Sequence, residues 1–517
     1  MVRLARVVIL LSCFLLAADA FATTYYIDYS SGSDSNNGTS KTTPWQHAPG
    51  MQNCTGSCGA ANPQPGDQFI FKGGVTWPGS VFTWQWQWSG NVSGSNTGCT
   101  GTGCIYLGVD QTWYAGSSWA RPIFNGGGIS VGTNNRYLWV TANFVILDNF
   151  EWTGFYENTS SPPYCTDDYM CLNYGTNNLE VKNQYFHGWT HSAYNNGASN
   201  DNGQCISGDT GWPSHNVNSS IHDNAFDGAD TTGDSMAALH GGPEVIYDNY
   251  IHNMSNGFVG EYTVAHDNVV LNINASYNPT MHENGLEINF SGTSYFYNNI
   301  FAHVEQGLTV WLAPEQGYTH NFYNNLIYDI PITNIIDLAA SLVNPTGSDV
   351  LYNNTVECGP DGSPAYICVA NIASSVTAVT LENNHWITNA TTPNKGVWSV
   401  DGSTPVTESN DVVMSYATAC TQQGYCSNQT YPFSPTSGTS GTVAQGANLS
   451  GLCPSLPGLC NDTTLGVSYN TTNHTVSYPA RTPNPRPATG AWDSGAYEYS
   501  SGNQPPLPPT GLTAVVN

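Results

Sequence analysis

From about residue 140 to 390, apolar and polar positions alternate in short runs, and each run breaks at the same kind of place. An alternating apolar stretch is followed by a polar residue, an Asn and a second apolar stretch. The instances are FVILDNFEW (144–152), LEVKNQYF (179–186), SSIHDNAF (219–226), EVIYDNYI (244–251), YTVAHDNVV (262–270), SYFYNNIF (294–301), HNFYNNLIY (320–328), DVLYNNTV (349–356) and VTLENNHW (379–386). The second member of each polar pair is Asn149, Asn183, Asn224, Asn249, Asn268, Asn299, Asn325, Asn354 and Asn384. Consecutive members lie from 19 residues (Asn249 to Asn268) to 41 residues (Asn183 to Asn224) apart. Flanks of period two predict strands, and a short unit recurring nine times predicts a strand solenoid.

The fold class expected is all-β, a parallel β-helix. Each coil needs a sharp corner between strands, and Asn tolerates the left-handed backbone such a corner demands. Stacked coils would set these Asn side chains above one another, with amides bonding along the stack. Both ends of such a stack need caps. A β-sandwich with turn asparagines is the competing arrangement, but sandwich turns do not repeat one short pattern nine times. One continuous solenoid is expected from about 130 to 395.

Particular segments resemble the secreted right-handed parallel β-helix proteins of the pectin-lyase-like superfamily. YYIDYSSGSDSNNGTSKTTPWQ (25–46) and PGDQFIFKGG (65–74) are similar to their N-terminal cap and first coil, and GAWDSGAYEY (490–499) to a closing segment many of them carry. The resemblance spans roughly 24–500 and implies a fold more than a chemistry, since the superfamily holds hydrolases, lyases, epimerases, esterases and adhesins. The organisation expected is a signal peptide (1–22), an N-terminal cap with first coils (23–130), a β-helix core (131–395) and C-terminal coils with a cap (396–500). A Pro-rich linker or fibronectin III-like remnant (501–517) follows.

Composition narrows the function. The chain has 517 residues, only 9% charged, with 10 Lys+Arg against 37 Asp+Glu and a formal net charge of −27. A nucleic-acid binder needs a basic face and is excluded. An aromatic content of 12% excludes a disordered acidic chain. Residues 1–22 read as an export signal, with Arg3 and Arg6 before the apolar run Val7 to Leu16. That run is too short for a membrane span, and no later segment is long enough. Lipidation at Cys13 fits poorly, because Leu11 precedes it. Twelve of the remaining cysteines form close pairs, Cys54/Cys58, Cys99/Cys104, Cys165/Cys171, Cys358/Cys368, Cys420/Cys426 and Cys453/Cys460. In an exported, extracellular protein these are expected to be local disulfides on loops, with Cys205 left over as a buried thiol or a competitor for Cys165 or Cys171. Fifteen N-x-S/T sequons permit glycosylation only in a eukaryotic route. The chain is expected to act as a monomer.

Chemistry is expected along one face of the solenoid. Aligning NGFVGEY (256–262), NGLEINF (284–290) and QGLTVWL (306–312) places Phe258, Leu286 and Leu308 inward. Val259, Glu287 and Thr309 then point outward, with Glu261, Asn289 and Trp311 as the next outward column. The preceding coil brings Asp230, Asp234 and His240 near. Glu261 and Glu287 would stand about 8 Å apart on the diagonal between neighbouring rungs. That falls in the range of roughly 6.5–9.5 Å for an inverting glycosidase pair. His282 and Glu283 stand at the entrance to the same strand. The plainer reading of all of these is solvated groups on an outer strand.

Other residues add options. His187, Asp227, His252, His303 and Asp329 follow the corner in five coils, as an acid/base or cation-binding rim or, more simply, as partners of corner groups. Trp84, Trp86 and Trp88 share one strand face, as a sugar-stacking platform with Trp311 or as a hydrophobic cap on the first coil. No cofactor is required. Asp34, with Asn36 and Asn37, offers oxygens of the kind Ca²⁺ prefers, against the plainer reading of a polar turn. Transition-metal ligand spacing is absent from the sequence, and no metal is assigned. Between 137 and 394 Lys182 is the sole Lys or Arg. Uronate lyases of the resembled fold commonly use Lys or Arg as base and carboxylate partner. The expectation is therefore a secreted polysaccharide-active enzyme, a glycoside hydrolase on a neutral or weakly charged glycan using two carboxylates. The alternatives are a lyase or epimerase on uronic-acid polymers and a non-catalytic, glycan-binding or adhesive β-helix.

Overall fold

A computed structural model describes residues 22–500, apart from 92–102, 129–134, 158–168, 176, 189, 192–202, 209–215, 229–235, 255, 261, 274–283, 289–291, 305–309, 313–316, 331–333, 339–346, 360–366, 374–375, 390–396, 401–403, 424–432, 464–467, 471–474 and 478–482. The signal segment and the tail 501–517 thus lie outside the described residues.

Three long sheets, each with its strands paired in parallel, make a parallel β-helix. The first has thirteen described strands, the second twelve and the third eleven. One coil shows the path. Pro243–Tyr247 lies in the first sheet, Tyr250–His252 in the second and Asn256–Gly260 in the third, and Val264–His266 then rejoins the first. The first sheet already includes Thr24–Ile27 and ends at Val406–Ser409. The N-terminal segment and the segment after the core are therefore coils of one solenoid. Each strand contributes an inward apolar residue directly above the last. Val181, Ile221, Ile246, Ala265 and Phe296 are successive register partners, and each is buried.

The corner between first and second sheets separates two tasks that the sequence pattern assigns to one Asn. The left-handed residue is the first of the pair, as at Asp223, Asp248, Asp267, Asn298, Asn324, Asn353 and Asn383, with φ of 51–62°. The second residue builds the amide ladder. Asn224, Asn249, Asn268, Asn299, Asn325, Asn354 and Asn384 are buried, and each side-chain amide donates to the next Oδ1 at 2.9–3.1 Å. Asn384 hands on to Asp411 at 3.2 Å. Asn149 and Asn183 are out of step. They carry the positive φ themselves (69° and 56°), and their ladder positions hold Phe150 and Gln184. Gln184 still joins, its N–H donating to Asn224 Oδ1 at 2.9 Å.

The C-terminal segment explains the residue type at the left-handed corners. It folds back along the solenoid, and corner asparagines grip its backbone. The Asn324 amide donates to Asn461 O at 3.0 Å, that of Asn353 to Asp493 O at 3.0 Å and that of Asn383 to Ala447 O at 2.9 Å. Arg486, buried, donates to Asn324 Oδ1 at 3.1 Å and pairs with Glu498 at 3.0 Å. Trp492 and Leu459 pack on Tyr323 in the same seam. Farther toward the N-terminus the corner residue is Asp223, Asp248 or Asp267.

Disulfides join Cys54 to Cys58, Cys358 to Cys368 and Cys453 to Cys460. Cys104 and Cys420 are also disulfide-bonded; Cys99 and Cys426, beside them in sequence, lie outside the described residues, as does Cys165. Cys205 is buried in the core. Among the described residues no helix is long and apolar enough to cross a membrane.

Candidate functional site

The third sheet carries a column of register partners along its length. It runs from Gln85 and Trp139 through Asn173, Ser207, His240, Val259, Glu287 and Trp311 to Asp337. The flanking residues Leu239, Phe258, Leu286 and Val310 are buried core, so strand alternation turns His240, Val259 and Glu287 to the outer face. All three are half-buried.

Glu287 is held in place by its own turn. Asn284, fully buried, donates its side-chain amide to Glu287 Oε2 at 2.7 Å. Its backbone N–H donates to the buried Asn256 Oδ1 at 2.7 Å, one coil below. Gly257 lets the coils close up, for a Cβ there would lie 2.2 Å from Gly285 O. A carboxylate so fixed on the outer face of the sheet can accept or deliver a proton without rearranging.

The register differs from the sequence alignment at one strand. Leu286 faces Val310, not Leu308, and Glu287 faces Trp311, not Thr309. A two-residue slip keeps the inward/outward sense, so alternation alone does not reveal it. Trp311 therefore shares the Glu287 column and does not start the next one; its side chain is outside what the structure describes. Glu261, His282, Glu283, Asn289, Asp230 and Asp234 also lie outside the described residues. His240 is two rungs from Glu287, with Val259 between them. On the other side, also two rungs away, is the buried Asp337, which sequence reasoning missed. Asn284 was missed too. Its position three residues before Glu287 in HENGLEI was the available signal.

The tryptophan platform is corrected. Trp84 and Trp86 have 0% exposure and belong to the core, where Trp84 stacks on Phe124 at 5.6 Å between centroids. Trp88 packs against Trp86 at 5.1 Å. The residues between them, Gln85 and Gln87, are exposed, as is Thr83 before them. The strand is one step out of phase with a sugar platform because the first coil needs its large side chains inside.

The His/Asp rim closes on itself. His187 meets Glu151 at 3.1 Å, His252 meets Asp227 at 3.4 Å and His303 meets Asp329 at 3.1 Å. His303 and Asp329 are themselves left-handed corner residues. Asp34 is likewise engaged by donors, the N–H groups of Gln46, His47 and Thr55 and His47 Nδ1 at 2.7 Å. These donors fit the polar-turn reading of this segment. Among the described residues no group of three or more His, Cys, Asp or Glu is arranged to hold a metal.

The Asp corner holds a strongly perturbed acid. Burial, with Asp267 and Asp223 on the adjoining rungs, pushes Asp248 up to about 7. Burial opposes the charge on His222, but hydrogen bonds to Asp223 and Glu180 outweigh it and raise its pKa. Lys182 is committed to Glu180 at 2.6 Å and sits on the first sheet, away from Glu287.

No protein-family model and no curated protein matches the sequence. Among solved structures, the chain is similar to a GH136 lacto-N-biosidase from Eubacterium ramulus (TM-score 0.47, 11% identity, 76% of this chain and 68% of that one). It is also similar to pectate lyase Pel9A (TM-score 0.39, 14% identity, 93% and 98%) and to a rhamnogalacturonan lyase (TM-score 0.38, 14% identity, 75% and 87%). Likeness at these levels is one of fold and says nothing of substrate.

Proposed function

We propose that the chain is an exported glycoside hydrolase acting on an extended polysaccharide laid along the outer face of the third sheet. The observation that carries this reading is Glu287, a half-buried carboxylate locked by a buried Asn on an outer sheet face that bears His240 and the Trp311 backbone on nearby rungs. In hydrolysis by two carboxyl groups, one protonates the leaving oxygen and the other activates water. Glu287 is one of the pair. Asp337, two rungs away at about 9.6 Å between backbones, is the partner within the described strands. Glu261, beyond the end of the neighbouring strand, is the other candidate.

Hydrolysis is preferred over β-elimination because the sequence from 183 to 394 contains no Lys or Arg to neutralise a uronate beside Glu287. The test is a panel of polysaccharides read for both reducing ends and unsaturated products. Reducing ends without unsaturation are expected. Glu287→Gln should keep the fold and lower turnover at least about 100-fold, the lower scale for loss of a general acid or base. Unsaturated products would replace this reading with a lyase. Binding without cleavage would replace it with an adhesive β-helix.

A further inference from the structure

The outer face of the first sheet carries a column of rings. Its register partners are His222, Tyr247, His266, Tyr297 and Tyr323. Successive ring centroids lie 4.4–5.1 Å apart, with planes inclined by 3–7°. A second outward column, two residues earlier on each strand, is Ser220, Val245, Val264 and Tyr295, all half-buried. The residue after each ring is the left-handed corner residue, which gives the row Asp223, Asp248, Asp267, Asn298 and Asn324 on successive rungs.

The chain's own C-terminal segment covers one part of this face. Leu449, Leu456 and Leu459 pack on Tyr323, with Tyr295 and Tyr297 at the margin. The Tyr323 hydroxyl donates to Pro457 O at 2.6 Å. Along that part the corner residues are Asn324, Asn353 and Asn383, whose amides donate to carbonyls of the segment. Toward the N-terminus Val245, Tyr247, Val264 and His266 are half-buried, and the corner changes to Asp. An Asn corner offers a donor, whereas an ionised Asp corner offers only acceptors and negative charge. Asp223 and Asp267 meet His222 and His266 at 2.7 Å each. Asp248, half-buried between them, has no hydrogen-bond donor among the described residues. Lys182 is held by Glu180 at 2.6 Å, and the sequence from 183 to 394 has no Lys or Arg to offer this row.

We propose that this part of the face docks an extended, Lys- or Arg-bearing segment of a partner protein, its apolar side chains on Val245, Val264 and the ring column and its cations on the Asp row. Continuity argues for a polypeptide, since the adjoining part of the same face is already covered by one. The change of corner residue argues for its chemistry. Asn amides suit the carbonyls of the C-terminal segment, and carboxylates suit a segment that brings charged donors. A second copy of this chain fits poorly, with 37 Asp+Glu against 10 Lys+Arg, and the tail 501–517 has neither Lys nor Arg. The face lies on the first sheet, so the inference stands apart from the hydrolase reading of the third.

The test titrates the full chain into a fluorescent Lys-Leu-Lys-Leu-Lys peptide, read by anisotropy. Salt is set at about 0.15 M, where attraction to the overall charge is screened beyond about 8 Å. A Gln-Leu-Gln-Leu-Gln peptide and a glucosamine pentamer are the comparisons. The lysine peptide should bind at least about 10-fold tighter than the glutamine peptide. Asp223→Asn with Asp267→Asn should erase most of that preference, and the left-handed backbone is kept because Asn serves the same corner at 324, 353 and 383. Glu408→Gln removes an exposed acid five rungs along the same sheet and should change binding by less than about 2-fold. Should the double variant fail to fold, Val264→Lys, at a half-buried outward position, must weaken the lysine peptide several-fold. Equal binding of the two peptides, a preference that survives these substitutions, or an equal loss in Glu408→Gln overturns the docking face. Tighter binding of the glucosamine pentamer than of the lysine peptide, lost in the double variant, overturns the protein partner and makes the face a site for amino-sugar chains.

Discussion

Asn284 holds Glu287 by a 2.7 Å hydrogen bond from a fully buried amide to a carboxylate on the outer face of the third sheet. The Asn is itself fixed by Asn256 on the coil below, so the carboxylate's direction is set by the stacking of two coils. This makes Asn284 a positioning residue. Asn284→Ala should lower kcat about 10-fold with little change in KM, because substrate contacts are kept while orientation is lost. Asn284→Asp should also shift the pH profile. A second carboxylate in that place disfavours the charged form of Glu287 and moves the limb governed by it to higher pH. Steady-state kinetics over a pH series check both. A KM rise with kcat unchanged, or an unshifted profile, would show that Asn284 supports only the fold.

The amide ladder predicts unequal costs for asparagines that look alike in sequence. Asn325 is buried and donates to Phe296 O, Tyr323 O and Asn354 Oδ1 at 2.9–3.1 Å, while accepting from the N–H and amide of Asn299. Asn325→Ala strands several of these groups away from water and should cost about 3 kcal/mol or more. Asn149 is not in the ladder. Its task is the left-handed backbone at φ 69°, and Asn149→Ala should cost about 1–2 kcal/mol. Asn149→Gly should be nearly neutral, whereas Asn325→Gly should be at least as damaging as the Ala variant. Denaturant unfolding of the four proteins measures this. Equal losses at the two positions would contradict the division of labour at the corner.

The coil architecture was legible because a buried stack repeats its demands at every rung. The Asn pairs announce corners, and period-two flanks announce strands. What the pattern hid is that one residue bends the chain while its neighbour builds the ladder; both are often Asn, so the pair reads as one signal. The outward sense of Glu287 was also legible, since Leu286 and Ile288 flank it. Its true neighbour Trp311 was not, because a slip of two residues preserves every inward and outward assignment. Trp84 and Trp86 misled for a related reason. Alternation says that they share a face, and only the filling of the first coil decides that the face is the inner one.

The Asp corner ties stability to pH. Asp248 stands between Asp223 and Asp267 on successive rungs, facing His222, His266 and the rings of Tyr247 and Tyr297, with Glu180 farther along. Burial and then the two neighbouring carboxylates raise it from the ordinary 3.8 to about 7. The folded chain thus holds a proton that the unfolded chain has released between about pH 4 and 7. The stabilisation from this group is full below the unfolded value and is lost as pH climbs through 7. Asp411 and Glu498, each raised to about 7 chiefly by burial, act in the same sense. His385 acts in the opposite sense. Burial lowers it to about 3, so its neutral form favours the fold above 6.5 and that contribution fades as pH falls. Asp248→Asn supplies a permanently uncharged side chain of the same shape. The variant should match wild type near pH 4.5 and melt about 1–3 °C higher at pH 8. His385, Asp411 and Glu498 are common to both proteins and cancel in the difference. Thermal unfolding of the two from pH 4.5 to 8 reads it directly. A difference that does not grow with pH would mean that Asp248 is already ionised in the folded chain and that the three stacked carboxylates do not repel as their spacing requires.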